Sequence, residues 1–268
     1  MPLDSIRDGH YLILGGSSGM GYATAAYLLR ANAVVTICGR DEAKLASAHD
    51  RMLEECGAEP DRLRSIAADA TLPEAVEQSF DLAARPDGTL DGVFVVAGAG
   101  AFMAVEEAGP ELIHEQISIN LVPLVNAIRS AFPRMKEKGG SILAMSSAAA
   151  LCSYPMLGAY GAAKAAVDHY VRVAADELGK YKIRVNAVRS GFTNTPVNGD
   201  LMTDEHYIGE FNKITPLGPY GEPEEFGPVA SLLLSPDSSW ITGAIVPVDG
   251  GLTLRGYGGG ILPAGMTP

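Results

Sequence analysis

Tyr160 and Lys164 stand four residues apart, and Ser147 lies thirteen positions before the tyrosine. The run from Ala159 to Leu178 is rich in alanine and other good helix formers, so this spacing puts phenol and ammonium on one helix face, about one turn apart. An unperturbed tyrosine titrates near pH ~10. A cation beside it favours the ionised form, and the expectation is a phenol whose pKa is drawn down by Lys164 so that it can exchange a proton with an alcohol oxygen. Alone, the pair is weak evidence, because a surface tyrosine one turn from an exposed lysine has the same spelling.

Positioning such a pair takes a scaffold, and the hydrophobic pattern supplies one. Apolar, β-branched runs at Tyr11–Leu14, Val34–Ile37, Leu63–Ala67, Val93–Val96, Ile142–Met145, Val185–Val188 and Ala244–Val248 predict strands. Between them, Gly19–Arg30, Glu42–Cys56, Pro73–Ala84, Glu111–Lys136, Tyr160–Lys180 and Glu224–Leu234 predict helices. Regular alternation of this kind implies an α/β fold: a doubly wound, Rossmann-type parallel sheet of seven strands with helices on both faces. No composition shift breaks residues 1–251, which read as a single domain, and a glycine-rich tail follows at 252–268.

Bulk composition narrows the function. A net charge of −12 over 268 residues argues against nucleic acid, which needs a basic face. It gives no attraction to an anionic bilayer either, and no apolar run is long enough to span one. The N-terminus has no signal-like apolar stretch, so the expected location is cytoplasmic. Three scattered cysteines and five histidines without ligand spacing predict no metal site.

In parallel sheets of this type, ligands bind beyond the carboxyl ends of the strands. The first strand runs into Gly15-Gly-Ser-Ser-Gly19-Met-Gly21 and then a helix. That turn is where a dinucleotide pyrophosphate meets backbone N–H groups and the positive end of a helix, and glycine lets the phosphates approach. The spacing Gly15-x-x-x-Gly19-x-Gly21 resembles the glycine motif of the short-chain dehydrogenases/reductases. From about Gly9 to Gly251 further segments match in order: Asp69 after the third strand, Asn120 in Ile-Asn-Leu, Ser147, Tyr160 with Lys164, Ser190-Gly191 with Thr195, and Val-Asp-Gly-Gly at 248–251. Departures are Leu14 for the usual threonine, Val95-Val96 for the usual Asn-Asn, and Ser190 for proline.

The resemblance implies a catalytic set of Asn120, Ser147, Tyr160 and Lys164. Tyr160 is then the general acid/base, Ser147 holds the substrate oxygen, Lys164 holds the nicotinamide ribose, and Asn120 supports a proton-relaying water. It places the cofactor along Gly15, Ser17, Ser18, Gly19, Met20, Gly21, Arg40, Asp69, Ala70, Ala97, Gly98, Gly191, Thr193 and Thr195, with Tyr160 and Lys164. A backbone-satisfied asparagine and a helix N-cap at Asp69 are the competing readings of those two residues. Gly39 occupies the place where NAD enzymes of the family carry an acid, and Arg40 follows, which favours NADP while leaving NAD possible. Asp41 reads as the cap of the next helix.

A polar and aromatic insertion over about 192–213 resembles the family's substrate lid. Met145, Leu151, Cys152, Tyr154, Met156, Phe192, Met202 and Tyr207 are candidate pocket walls or plain core residues. The activity implied is interconversion of a ketone and a secondary alcohol on a small molecule. The alternatives are a 3-oxoacyl-carrier ketoreductase, with a basic rim from Arg129, Arg134, Lys136 and Lys138, and a non-catalytic cofactor-binding protein. The family also implies a homo-oligomer, dimer or homotetramer, in which the long helices pair. The tail, too glycine-rich to pack alone yet carrying Leu254, Tyr257, Ile261, Leu262 and Met266, is expected to cross to a neighbour.

Overall fold

The computed structural model describes residues 4–254. Seven strands form one parallel sheet: β1 (His10–Leu14), β2 (Val34–Gly39), β3 (Leu63–Ala67), β4 (Gly92–Val95), β5 (Gly140–Ser147), β6 (Ile183–Ser190) and β7 (Ile245–Val248). Their order across the sheet is 3-2-1-4-5-6-7. The order reverses beside β1, so the loops after β1 and β4 diverge and open a crevice at the carboxyl edge.

Both faces are covered, as continuous apolar strands require. Along β1, Tyr11 and Ile13 join a core with helices α1 (Gly19–Arg30), α2 (Glu42–Cys56) and, late in the chain, Phe226–Leu234. The alternate residues Leu12 and Leu14 join the opposite core, with α3 (Pro73–Ala83) and two long helices further on. Successive side chains of a strand point to opposite faces, and here both sets are fully buried.

The expected single helix over 111–136 is two: α4 (Pro110–Asn120) and α5 (Val122–Met135), broken at Leu121. Pro123 is the cause, since it lacks an N–H and its ring crowds the carbonyl four residues back, whereas it is tolerated in the first turn of a new helix. The break leaves Asn120 as a helix end and not a helix interior. Next come α6 (Gly158–Leu178), α7 (Glu205–Ile214) and α8 (Phe226–Leu234). Helix α7 lies inside the insertion and was not expected. Asp204 caps it by accepting from the Tyr207 N–H.

Leu14 and Val95 are buried where the family has polar residues, and the tie between the strand ends is made by backbone instead. The Leu14 carbonyl accepts from the N–H groups of Val96 and Ala97, at 2.8 and 2.9 Å. Of the tail, only Leu252–Leu254, a short helical turn, lies within the described residues; residues 255–268 and the crossing expected of them lie outside. No helix among the described residues is long and apolar enough to cross a membrane.

Candidate active site

A cleft of about 640 Å³ opens over the carboxyl ends of β1, β2, β4, β5 and β6. Gly15, Ser17, Ser18, Gly19 and Met20 form one wall. Gly15 has φ +102°, and an added Cβ would stand 2.8 Å from the Ala97 nitrogen, so only glycine fits. Gly21, expected to touch cofactor, is buried and does not line the cleft. It sits so close to the Gly15 carbonyl that any side chain would collide with it, so its task is to let α1 approach the turn. Ser18 is the N-cap of α1 but its hydroxyl caps nothing, and the first residues of the helix, Gly19 and Met20, line the cleft. Donors without a side-chain partner at a positive helix end fit a pyrophosphate.

At the end of β2, Gly39 lies beside the Ser17 hydroxyl, and Arg40 is exposed on the cleft wall. Arg40 forms no salt bridge among the described residues. Asp41 caps α2 by accepting from the Lys44 N–H at 3.0 Å, as expected. Asp69 accepts from both the N–H and the hydroxyl of Thr71, each at 2.8 Å. The Thr71 N–H above all, with its hydroxyl and the charge of Arg40, holds the Asp69 carboxyl below its ordinary range. It does not cap α3, whose N-cap is Leu72. Ala70, Ala97 and Gly98 complete this wall. Asn126 of α5, which the sequence did not single out, pins the loop by donating to the carbonyls of Ala70 and Thr71 at 3.1 Å.

Ser147, Tyr160 and Lys164 meet on the opposite wall. Ser147 ends β5, where its hydroxyl accepts from the Ala149 N–H and bonds the Tyr160 phenol. Lys164 is 3% exposed, donates to the Met145 carbonyl at 2.8 Å, and lies 5.8 Å from the centre of the Tyr160 ring. The expected direction of the tyrosine shift is reversed in the chain by itself. Burial raises the phenol above 10, opposed only by the Ser147 bond. The same burial lowers Lys164 to about 8, against a smaller upward pull from Asp168 one turn on. Desolvation penalises whichever form is charged, and it is the largest influence on both groups.

Asn120 is buried behind the wall. Its Nδ2 donates to the carbonyls of Ala99 and Gln116, both at 3.0 Å, while its Oδ1 has no protein partner. The backbone-satisfied reading therefore covers only half of the amide. Gly191, Thr193 and Thr195 line the cleft after β6, with Asn198 donating to the Thr193 carbonyl. Of the candidate pocket walls, Met145, Tyr154, Phe192 and Tyr207 line it; Leu151, Cys152, Met156 and Met202 do not. The sequence missed Phe102, Leu157 and Phe211, which do. A buried pair, Asp168 with Arg189 of β6 at 2.5 Å, was also missed, because its members are twenty-one positions apart.

A phosphate-compatible glycine turn facing a Ser–Tyr–Lys group across one crevice defines a dinucleotide-dependent oxidoreductase. Comparison with known proteins agrees. A family model described as enoyl-(acyl carrier protein) reductase matches residues 15–253. The NADP-dependent (R)-specific alcohol dehydrogenase of Lentilactobacillus kefiri is 32% identical over 256 residues, 94% of this chain and 99% of its own. Versicolorin reductase of Emericella nidulans is 31% identical over 250 residues, 90% of this chain and 94% of its own. A short-chain type dehydrogenase/reductase structure from Mycobacterium ulcerans has a TM-score of 0.89 at 34% identity, covering 94% of this chain and 92% of that one. The chain belongs to the short-chain dehydrogenase/reductase family.

Proposed function

We propose that the protein is an NADP(H)-linked oxidoreductase that interconverts a ketone and a secondary alcohol, with Tyr160 as the general acid/base. The meeting of Ser147, Tyr160 and Lys164 on one wall, opposite the glycine turn, carries this reading. The nicotinamide, when bound, supplies or accepts the hydride at the carbonyl carbon. Ser147 orients the carbonyl oxygen towards the phenol. A phenol raised by burial keeps its proton at neutral pH, which suits it to act as the acid in ketone reduction. Lys164 holds the ribose, and the free Oδ1 of Asn120 is an acceptor for a water that returns protons to it.

Arg40 supports NADP over NAD. It is a guanidinium without a salt bridge among the described residues, at the end of β2 next to a glycine, and the adjacent carboxylate, Asp41, is occupied in capping α2. The insertion over 192–213 acts as the substrate lid. A homo-oligomer is proposed as well: Ile113 of α4 and Val173 of α6 are exposed apolar side chains, and Trp240 is 98% exposed near the edge strand β7. Light scattering giving a monomer at micromolar concentration would reject it.

The test of the activity is NADPH oxidation, followed by nicotinamide absorbance, against a panel of carbonyl compounds. Oxidation by at least one ketone, lost in Tyr160→Phe, is expected. Tight NADPH binding with no carbonyl reduced would favour the non-catalytic alternative.

A further inference from the structure

We infer that the ketone this site takes is neutral and ring-bearing, and that anionic substrates, carrier-bound acyl groups among them, are turned away. The inference rests on the ketoreductase reading above and goes beyond it in naming the substrate class.

The wall beyond Tyr160 is built from Phe102, Tyr154, Leu157, Phe192, Tyr207 and Phe211. Three of these rings hold one another: Phe192 lies 4.6 Å from Phe211 and 5.4 Å from Tyr207, and Tyr207 lies 5.1 Å from Phe211, centre to centre. Rings fixed by their neighbours present a hydrocarbon surface of set orientation, which favours a flat or cyclic partner over a flexible chain. The hydrocarbon surface continues outside. Met103, Val105, Leu151 and Met156 are exposed on the two loops beside the cleft, Val105 by 74%. These loops are pinned together, for the Met103 N–H donates to the Met156 carbonyl at 2.8 Å and Met103 pairs with Leu157. A contiguous exposed apolar surface running into a cleft marks a binding site for apolar matter.

Charge points the same way. Among the described residues, two cations line the cleft: Arg40 at the end of β2, and Lys164, whose ammonium already donates to Met145. Neither belongs to the aromatic wall. Glu115 lines the cleft, and Glu106 and Glu107 are exposed on the loop that carries Met103 and Val105. An anion entering here would lose hydration without gaining a partner.

The basic rim expected from Arg129, Arg134, Lys136 and Lys138 is not at the cleft. Helix α5 runs back from the carboxyl edge to the point where β5 begins at Gly140, so its last turn lies at the far edge of the sheet. There Arg134 is paired with Glu77 and Asp81, and Lys138 with Asp87. Among the described residues, a carrier protein's acidic surface and phosphate-bearing arm find no basic rim at the mouth.

The test is calorimetric binding to the full chain saturated with NADP⁺, a dead-end complex in which no ketone is turned over. Methyl 4-acetylbenzoate, 4-acetylbenzoate and methyl 4-oxopentanoate separate charge from ring. The aromatic ester should bind at least about tenfold more tightly than its acid, the order expected for an uncompensated charge, and more tightly than the ring-free ester. Phe102→Ala, at a half-exposed position that can be truncated without opening the core, should weaken the aromatic ester selectively. Val197→Arg, which adds a cation to the cleft wall, should close the gap between acid and ester. Equal or tighter binding of the acid, equal binding of the ring-free ester, or no effect of either variant would overturn the inference. Because turnover is not read, the result is independent of whether NADPH is oxidised, which tests the underlying reading separately.

Discussion

The two halves of the cleft are made differently. Around β1 and β2 the wall is backbone: a glycine turn, uncapped helix N–H groups and carbonyl ties such as that at Leu14. Around α7 it is side chain: rings of Tyr154, Phe192, Tyr207 and Phe211 in contact with one another, with Phe102 on the same wall. A backbone wall serves one invariant ligand. A side-chain wall can be changed one residue at a time without disturbing the sheet, so the two halves should respond independently to substitution.

Tyr160→Phe, at the seam, is the strongest probe. Turnover should fall on the order of 10²–10⁴-fold, the usual contribution of a general acid, while the Kd for NADPH stays within a few-fold. Loss of cofactor binding too would mean that the halves are not separable at this point. Lys164 offers a test in pH. Its folded value of about 8 lies below the unfolded value of 10.5, so the ammonium destabilises the fold fully below pH 8 and the penalty fades as pH rises through that window. Relative to wild type, Lys164→Met should therefore be favoured below pH 8, and the difference should shift against it by about 3 kcal/mol between pH 8 and 10.5 in denaturant titrations. A difference independent of pH would show that Lys164 is not desolvated.

Arg40→Ala probes the backbone half. NADPH should bind about 10–100-fold more weakly, the worth of a charged hydrogen-bonded contact, with NADH unchanged. Equal losses for the two cofactors would defeat the assignment. The smallest effect is expected from Phe211→Ala, which should raise KM about tenfold by loosening the ring cluster and leave the Kd for NADPH unaltered. A parallel change in both would unite the halves.

The same contrast explains what could be read from the sequence. Strand alternation and the glycine spacing are local patterns, and they announced the sheet and the turn; the spacing of four put Tyr160 and Lys164 on one helix face, while Ser147 joined them through the family resemblance. Asp41 was legible because capping is a local matter. The break at Leu121 had a local cause as well, in Pro123, but it was masked by strong helical periodicity on either side. Helix α7 also had a signal: Asp204 as cap and Tyr207, Phe211 and Ile214 at helical spacing, weakened by Gly209. What spacing could not show is any quantity set by burial. The upward shift of Tyr160, the Asp168–Arg189 pair and the distance of Lys138 from the mouth all depend on what surrounds a residue in space.

The double acceptance at the Leu14 carbonyl has a consequence for tracing ancestry. Because main-chain groups make that junction, selection sees little of the side chains at 14, 95 and 96, and they are free to drift among residues that pack. A signature written in side chains decays at such places faster than the architecture it advertises. Lineages that cross the same structural checkpoint with leucine and valine would slip past any search demanding asparagine there.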